Sequence, residues 1–186
     1  SFLPGQKTVA QKLSKLKKRA IDISTFKTLT RGKIYIIELQ EELSLPDNIS
    51  AVANAKSSTG RLDILTRLIS DNSSCFDRIS KGYTGKVYVE IAPISFSIII
   101  KEGIMLNQLR FHNEQKVITD RQLEKLNSKF NIVENVRQID NGITISVNLE
   151  SKEDEPIGFR AKKNCPAINL TKLNHYKVEV FWEKLF

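Results

Sequence analysis

Residues that build metal sites and disulfide frameworks are scarce in this 186-residue chain, which has two cysteines and two histidines. Glycine and proline number only 8 and 5, which excludes collagen-like and low-complexity chains. No apolar run approaches the roughly 20 residues that cross a bilayer, since Ile98-Ile99-Ile100 is followed at once by Lys101 and Glu102. The first residues also lack the basic and apolar regions of a secretory signal. We therefore expect a soluble globular protein without a membrane span.

The cysteines, Cys75 and Cys165, and the histidines, His112 and His175, are isolated from one another in the sequence. One disulfide between the cysteines is compatible with their number, but such low usage favours a reducing, cytoplasmic location. There is no CxxC pair, and neither histidine stands in a zinc-binding or hydrolytic motif. The HxE and PCxxC motifs of zinc-dependent base deaminases are missing as well. The sequence therefore predicts no metal-binding residues and no zinc.

Basic residues outnumber acidic ones by 29 to 21, which gives a net charge of +8. Such an excess attracts nucleic acid, anionic lipid or nucleotide phosphates. Part of it lies in a predicted basic helix from Thr8 to Ala20, where Val9, Leu13 and Leu16 recur at helical spacing among lysines. This helix either packs through its apolar stripe or binds nucleic acid or a membrane surface.

The rest of the chain is typical of short β-strands separated by turns rich in Gly, Pro, Asn and Asp. Strands at close spacing without long helices between them favour a sandwich or barrel over a parallel sheet. The predicted strands are Lys33–Leu39, Ile49–Asn54, Leu62–Ile69, Lys86–Ala92, Ser95–Ile100, Met105–Phe111, Ile143–Leu149 and Tyr176–Phe186. One more helix is expected after Thr119 or Asp120, with Leu123, Leu126 and Phe130 on its inner face.

We interpret the chain as one β-rich domain, with a basic N-terminal segment (1–31), a β-core (32–150) and a C-terminal segment (151–186). Residues 151–156 form an acidic, polar connector within the last of these. No internal repeat is visible.

The densest polar cluster is Lys56-Ser57-Ser58-Thr59-Gly60-Arg61. Three hydroxyls between two cations are suited to bind phosphate, because hydroxyls and backbone N–H groups donate to its oxygens while the cations neutralise its charge. The GxxxxGK[ST] pattern is absent and no strand–helix frame is predicted around the segment, so it is not a P-loop. The alternative is an ordinary polar turn.

Glu90 is the candidate general base. In the strand around it, Val87, Val89 and Ile91 share one face, so Tyr88 and Glu90 project from the other. A carboxylate near the end of an apolar strand can have its pKa raised by burial and then accept a proton. The alternative is an exposed glutamate at a sheet edge.

A family pattern extends over nearly the whole chain. The segments that carry it are Asn54–Asp63, Phe76–Ile79, Gly82–Ile91, Gly103–Phe111 and Gly158–Lys162, with Ser1–Gly5 and Phe181–Glu183 beyond them. Together they resemble the 2′-deoxycytidine 5′-triphosphate (dCTP) deaminase family in its longer, α-proteobacterial form, of which the chain looks like a central part. The resemblance implies a deoxyuridine-triphosphatase-like fold, which is a distorted jelly-roll β-barrel with one or two short helices, in a homo-oligomer that is a trimer or pseudo-trimer. It also implies hydrolysis of dCTP to dUTP and ammonia without zinc, with Mg²⁺ bound to the triphosphate.

The resemblance assigns roles to individual residues. Glu90 matches the general base, and Ser57 and Arg61 match residues that position the water and polarise the site. The remaining matches concern nucleotide binding: they are Lys56, Ser58, Thr59 and Gly60 for the triphosphate, Tyr88 and Val89 for the base, Ser70 for the water, and Phe159 and Lys162 for a segment that closes over the phosphates.

Ser80 departs from the family pattern. The family has an acidic, deoxyribose-contacting residue there, whereas the nearest acidic residue here is Asp77, which follows a longer loop at 71–75. Two other functions stay open: a deoxyuridine triphosphatase, and a non-catalytic basic module for nucleotides or nucleic acid. For the latter we expect only weak, salt-dependent DNA binding, since no reading motif is present.

Overall fold

A computed structural model describes residues 2–16, 19–113, 117–150 and 155–186. Its strands, in chain order, are β1 (Lys27–Leu29), β2 (Tyr35–Ser44), β3 (Ser50–Ala55), β4 (Ile64–Ser70), β5 (Arg78–Ile79), β6 (Thr84–Pro93), β7 (Ile98–Ile100), β8 (Asn107–His112), β9 (Gly158–Ala161), β10 (Ile168–Asn169) and β11 (Trp182–Leu185). The helices are α1 (Val9–Ser14), α2 (Ser57–Gly60), α3 (Asp120–Phe130) and α4 (Val178–Phe181).

The chain is mainly β, as expected, but the described strands form separate sheets rather than one closed barrel. The central sheet has the order β2–β6–β4, the second sheet β5–β3–β8 and the third sheet β1–β7–β10, while β9 pairs with β11. The described residues contain four short helices, where the sequence predicted one or two. The additional ones are single turns that complete the connections before β4 and β11.

β6 is the middle strand of the central sheet and is antiparallel to both neighbours. Its inner face carries Val87, Val89 and Ile91, all at most 2% exposed. These side chains join two hydrophobic clusters, one with Leu29 and Ile98 of the third sheet and one with residues of the second sheet. Tyr88 and Glu90 therefore face away from these sheets, as the alternation predicts.

The N-terminal segment covers that outer face. Val9 of α1 is fully buried beside Ile69 and Tyr88, with Leu13 packed against the same cluster. The helix begins at a capping box, in which the Thr8 hydroxyl accepts from the Gln11 N–H and the Gln11 side chain accepts from the Thr8 N–H. The apolar stripe thus packs against the sheet.

The predicted helix over Thr8 to Ala20 is wrong in its extent, because α1 ends at Ser14. The Leu16 N–H donates to Leu13 O, a tighter turn that closes the helix after its last packed residue. Lys17 and Lys18, two of the lysines of this prediction, lie outside the described residues.

The predicted strand Ile143–Leu149 is wrong. Within the described residues it forms only an isolated bridge between Ile139 and Ile143, and Ile145 and Val147 are more than 80% exposed. Period-two alternation therefore produced no strand, because pairing needs a neighbouring edge. The predicted strand Tyr176–Phe186 is half right, since α4 occupies its first half and β11 the second.

Other boundaries shift by a few residues. The strand predicted from Ser95 begins at Ile98, and that predicted from Met105 begins at Asn107. The helix expected after Thr119 is α3, which has a capping box at Thr119 and ends at left-handed Asn131. Its expected inner face is not buried, since Phe130 is 61% exposed.

The chain divides into two compact units: the first comprises Ser1–Glu114 and Arg160–Glu183, the second Gln115–Phe159 and Lys184–Phe186. The three sheets of three strands lie in the first unit. The second contains α3 and the hairpin turn after it, where the N–H groups of Asn141 and Gly142 donate to the Asp120 carboxylate at 2.9 and 3.2 Å. In the part of the chain that the structure describes, each helix is too short or too polar to traverse a bilayer.

Candidate active site

Glu90 is buried in the middle of the central sheet. It is 2% exposed, and its strand is hydrogen-bonded on both sides, to Ile36 in β2 and Arg67 in β4 by register. The alternative of an exposed edge glutamate is therefore wrong. Strand β6 has a partner on each edge, and the N-terminal segment covers the outer face from which Glu90 projects.

Arg67 compensates the buried charge. Its Nε donates to Glu90 Oε1 at 3.0 Å, and its Nη2 donates to the same oxygen. The Arg67 guanidinium also stacks on Phe76, with Cζ 3.8 Å from the ring centroid. A buried carboxylate without such a partner is strongly disfavoured, so the ion pair makes the position of Glu90 tenable.

Glu90 lines an open cleft of about 1090 Å³. Its walls come from α1, residues 19–23 and β2, and include Leu13, Ile21 and Ile36, with Lys12 and Arg19 as cations. We call it the Glu90 cleft. An apolar cleft with a few polar groups at defined points is the usual form of a small-molecule site.

The other residues expected near the base and the water differ in their surroundings. Tyr88 is 5% exposed and packs with Val9 and Ile69, and burial is the main cause that raises the pKa of its hydroxyl. Val89 faces the opposite, inner core. Ser70, the last residue of β4, is buried at 3% exposure and lies opposite Val87.

The phosphate-binding candidate Lys56–Arg61 forms one helical turn between β3 and β4. The Thr59 and Gly60 N–H groups donate to Lys56 O at 2.9 and 3.0 Å, and the Arg61 N–H donates to Ser57 O at 3.0 Å. Strand β3 ends at Ala55 and β4 begins at Ile64, so α2 is the segment itself and the element that follows it is a strand.

The side chains of α2 have separate tasks. Thr59 is buried, and its hydroxyl donates to Leu106 O at 3.0 Å, which anchors the turn. Ser57, Ser58 and Arg61 are exposed. The turn therefore presents two hydroxyls and a guanidinium to solvent, and Lys56 is half-buried beside them.

The structure does not bring this turn to Glu90 within one copy of the chain. Residues 56–61 are absent from the described walls of the Glu90 cleft. The α2 turn follows β3, and Ala51 and Ala53 of β3 pack against Leu68 and Val87 on the inner face of the central sheet. Glu90 projects from the other face.

Ser80 is exposed and its carbonyl accepts from the Tyr83 N–H at 3.3 Å, within the turn that leads to β6. Asp77 has a structural role: its Oδ1 accepts from the Leu68 N–H at 2.8 Å, and its backbone bonds both Leu68 and Ala53. Burial raises the pKa of the Asp77 carboxyl, although the Leu68 N–H and Arg67 act in the opposite direction. The Asp77 side chain thus links the loop before β5 to strand β4.

In the C-terminal part, Phe159 is 52% exposed within the second unit. Lys162 lies in the first unit, where its Nζ donates to Glu179 O at 2.5 Å.

Cys75 and Cys165 are both free thiols. Among the described residues, no three His, Cys, Asp or Glu side chains cluster in a way that could hold a metal ion.

Sequence reasoning missed Arg67 as the partner of Glu90 and Phe76 as the ring on which Arg67 stacks. Arg67 is one period-two step from the apolar Leu65 and Ile69, so the alternation places it on one face of β4. The alternation does not reveal how β4 and β6 are paired, and it is this pairing that places Arg67 opposite Glu90.

Comparison with known proteins gives matches to two family models. The family model described as the 2′-deoxycytidine 5′-triphosphate deaminase (DCD) N-terminal domain matches residues 1–115, and that of the DCD C-terminal domain matches residues 119–186. A comparison with curated proteins gave no significant match.

Among solved structures, the chain is similar to the crystal structure of 2′-deoxycytidine 5′-triphosphate deaminase from Agrobacterium tumefaciens, with 38% identity and a TM-score of 0.87. The match covers 100% of this chain and 55% of that one, so the chain spans about half the length of this relative. The deoxyuridine-triphosphatase-like fold expected from the sequence is thereby confirmed. Two family models over almost all residues and this identity lead to one conclusion: the chain belongs to the 2′-deoxycytidine 5′-triphosphate deaminase family.

Proposed function

We propose that the chain catalyses, or forms part of an enzyme that catalyses, the hydrolysis of dCTP to dUTP and ammonia, with Glu90 as the general base. The observation that carries the proposal is a buried carboxylate that reaches an apolar cleft, in a chain of the dCTP deaminase family. A carboxylate that is shielded from bulk solvent and lines a cleft can accept a proton from a water molecule bound there.

The proposed chemistry balances with a single proton shuttle. Water adds through its oxygen to cytosine C4 while Glu90 takes its proton. The same carboxyl group passes this proton to ring nitrogen N3. It then takes the second proton from the hydroxyl now on C4 and gives it to the leaving amine, so that the C4–N bond breaks, the C4 carbonyl forms and ammonia departs. General acid–base catalysis of this kind contributes about 10²–10⁴-fold to the rate. The scheme uses no zinc, in keeping with the missing zinc-deaminase motifs.

The triphosphate is assigned to the α2 turn, where Ser57, Ser58 and Arg61 are exposed beside half-buried Lys56. Charge-assisted hydrogen bonds from Arg61 and the hydroxyls suit phosphate oxygens. Binding energy from the remote phosphates can be used to orient the base. Mg²⁺ bound to the triphosphate would neutralise part of its charge.

A complete site then requires a second copy of the chain. Within one copy, Glu90 projects from the outer face of the central sheet, whereas Thr59 anchors the α2 turn to Leu106, which packs with Val89 and Ile91 of the inner face. The two parts meet if α2 of a neighbouring copy approaches the Glu90 cleft, as a trimer or pseudo-trimer of the family type allows. In this arrangement Glu90 and Arg61 of one site come from different copies.

The test measures ammonia release from dCTP with Mg²⁺ for the wild-type chain, Glu90→Gln and the matched control Glu42→Gln, an exposed position on β2 of the same sheet. We expect turnover by the wild type and the control only. Pyrophosphate from dUTP, without ammonia from dCTP, would identify a deoxyuridine triphosphatase instead. Sequence-selective DNA binding at physiological salt without either reaction would favour the non-catalytic module.

Mixing tests the shared site. Glu90→Gln and Arg61→Ala chains are each assayed alone and after being unfolded and refolded together. If the two residues of one site come from different copies, the mixed assemblies contain some sites with both native residues, and turnover returns. Turnover that stays absent in the refolded mixture, while wild-type chain treated identically recovers, contradicts a shared site.

A further inference from the structure

We propose that Arg67 is a positioning residue for the reaction and that, held by Phe76, it fixes the Glu90 carboxylate so that Oε2 is the oxygen turned to the water. The inference rests on the proposed function and deepens it. It concerns two residues outside the set that the sequence indicated for the site.

Strand register is the first step. In the antiparallel β4–β6 pair, Arg67 lies directly opposite Glu90, so their side chains leave the same face of the central sheet. Arg67 is flanked on that face by Ile69, which is fully buried. The Arg67 side chain is 29% exposed and reaches the Glu90 carboxylate from the neighbouring strand.

The hydrogen bonds are asymmetric. Both Nε and Nη2 of Arg67 donate to Glu90 Oε1, at 3.0 Å for Nε. Within the described residues, Oε2 accepts no hydrogen bond from a side chain. The usual two-to-two pairing of guanidinium with carboxylate would engage both oxygens. Here one oxygen is held and the other is left to act on a molecule in the Glu90 cleft.

Phe76 supplies the second constraint. Its ring lies under the guanidinium, 3.8 Å from Arg67 Cζ, and packs against the cluster of Val9, Ile69 and Tyr88. Stacking on an aromatic face fixes the plane of a guanidinium. The ammonium of a lysine is not planar and is not oriented in this way. Carboxylate, guanidinium and ring therefore form a chain of contacts from the base to the hydrophobic cluster beneath α1.

A positioning role predicts a specific kinetic pattern. A misplaced catalytic carboxylate lowers the rate of the chemical step without weakening substrate binding to the same degree. If Arg67 instead contacted the substrate, its loss would raise KM. If it served stability alone, its loss would lower the unfolding free energy and leave kcat of the folded protein unchanged.

The experiment compares kcat, KM and Tm for Arg67→Gln, Arg67→Lys, Phe76→Leu and Phe76→Tyr, with exposed Arg121→Gln in α3 as control. We expect kcat to fall by about 10²-fold in Arg67→Gln, with a smaller change in KM. Arg67→Lys and Phe76→Leu should lie between this variant and wild type, while Phe76→Tyr and the control stay near wild type. A KM effect without a kcat effect, or an unchanged kcat, overturns the proposal.

A second measurement does not depend on turnover. The unfolding free energies of Arg67→Gln, Glu90→Gln and the double variant form a cycle, and a direct pair gives non-additive values. If the wild type releases no ammonia from dCTP, the proposed function fails while this cycle still tests whether Arg67 holds Glu90. Additive values overturn the positioning role whatever the activity.

Discussion

The backbone N–H of Val9 donates to Asp71 Oδ1 at 2.7 Å, which ties the first turn of α1 to the loop after β4. Two backbone hydrogen bonds connect the same loop to the N-terminal segment. The Gly5 N–H donates to Ser73 O and the Asn72 N–H donates to Lys7 O, both at 3.0 Å. Since α1 is one wall of the Glu90 cleft, this loop holds the cleft in shape.

Asp71→Ala should lower the free energy of unfolding by about 1–3 kcal/mol, because the Val9 N–H is left unpaired at a part-buried position. The matched control is Asp71→Asn, which retains an oxygen acceptor and should keep most of the stability. Urea unfolding of both variants provides the comparison. Equal losses in the two would mean that the charge, and not the hydrogen bond to Val9, matters at this position.

Asp77 gives a pH dependence with a defined sign. Burial raises the pKa of its carboxyl, so the folded protein binds this proton more readily than the unfolded chain does. Its contribution to stability therefore increases as pH falls through the folded pKa and decreases as pH rises through it. The unfolding free energy of wild type minus that of Asp77→Asn should rise as pH is lowered from about 7 to about 4.

Asp22 provides the opposite control for that experiment. Hydrogen bonds from Ser24 lower the pKa of its exposed carboxyl, so its contribution is lost as pH falls through the folded pKa. The unfolding free energy of wild type minus that of Asp22→Asn should therefore fall as pH is lowered. If both differences changed in the same direction as pH is lowered, the account of Asp77 would be contradicted.

The exposed segment 143–149 gives a test of packing. Ile145 is 84% exposed, so Ile145→Ala should change the unfolding free energy by no more than about 0.5 kcal/mol. Ile91 is 1% exposed in the core, and Ile91→Ala should cost about 2–5 kcal/mol. A loss above about 1 kcal/mol for Ile145→Ala would show that something covers this segment in solution.

Arg61→Ala should weaken dCTP binding far more than deoxycytidine binding, because the charge-assisted contact assigned to Arg61 is to phosphate. Isothermal titration with both ligands measures the difference, and exposed Arg121→Gln serves as a surface control. Equal losses for the two ligands would place Arg61 at the base or in support of the fold.

Local pattern predicted the central strand well. Val87, Val89 and Ile91 alternate, and β6 follows with Tyr88 and Glu90 on the other face. The sequence did not reveal that both faces are buried, because this depends on β2, β4 and α1, which are distant in the chain. The same limitation hid Arg67, whose partner Glu90 is 23 residues away.

The failures have the same physical origin. Residues 143–149 alternate as cleanly as β6 does, yet no described strand offers them an edge, and alternation without pairing is not a strand. The α2 turn was expected as a plain turn because a single helical turn has too few residues to show a period. Its anchor, the bond from Thr59 to Leu106, connects segments 47 residues apart.

The central claim is that Glu90 accepts the proton of the attacking water, and Glu90→Gln tests it most directly. The variant keeps the shape of the side chain and an oxygen that can accept from Arg67, but it cannot take up that proton. We expect dCTP affinity within about tenfold of wild type, under about 1.4 kcal/mol, and turnover lower by about 10²-fold or more. Ammonia release from dCTP at a near wild-type rate by a folded Glu90→Gln protein would contradict the claim and remove Glu90 from the mechanism.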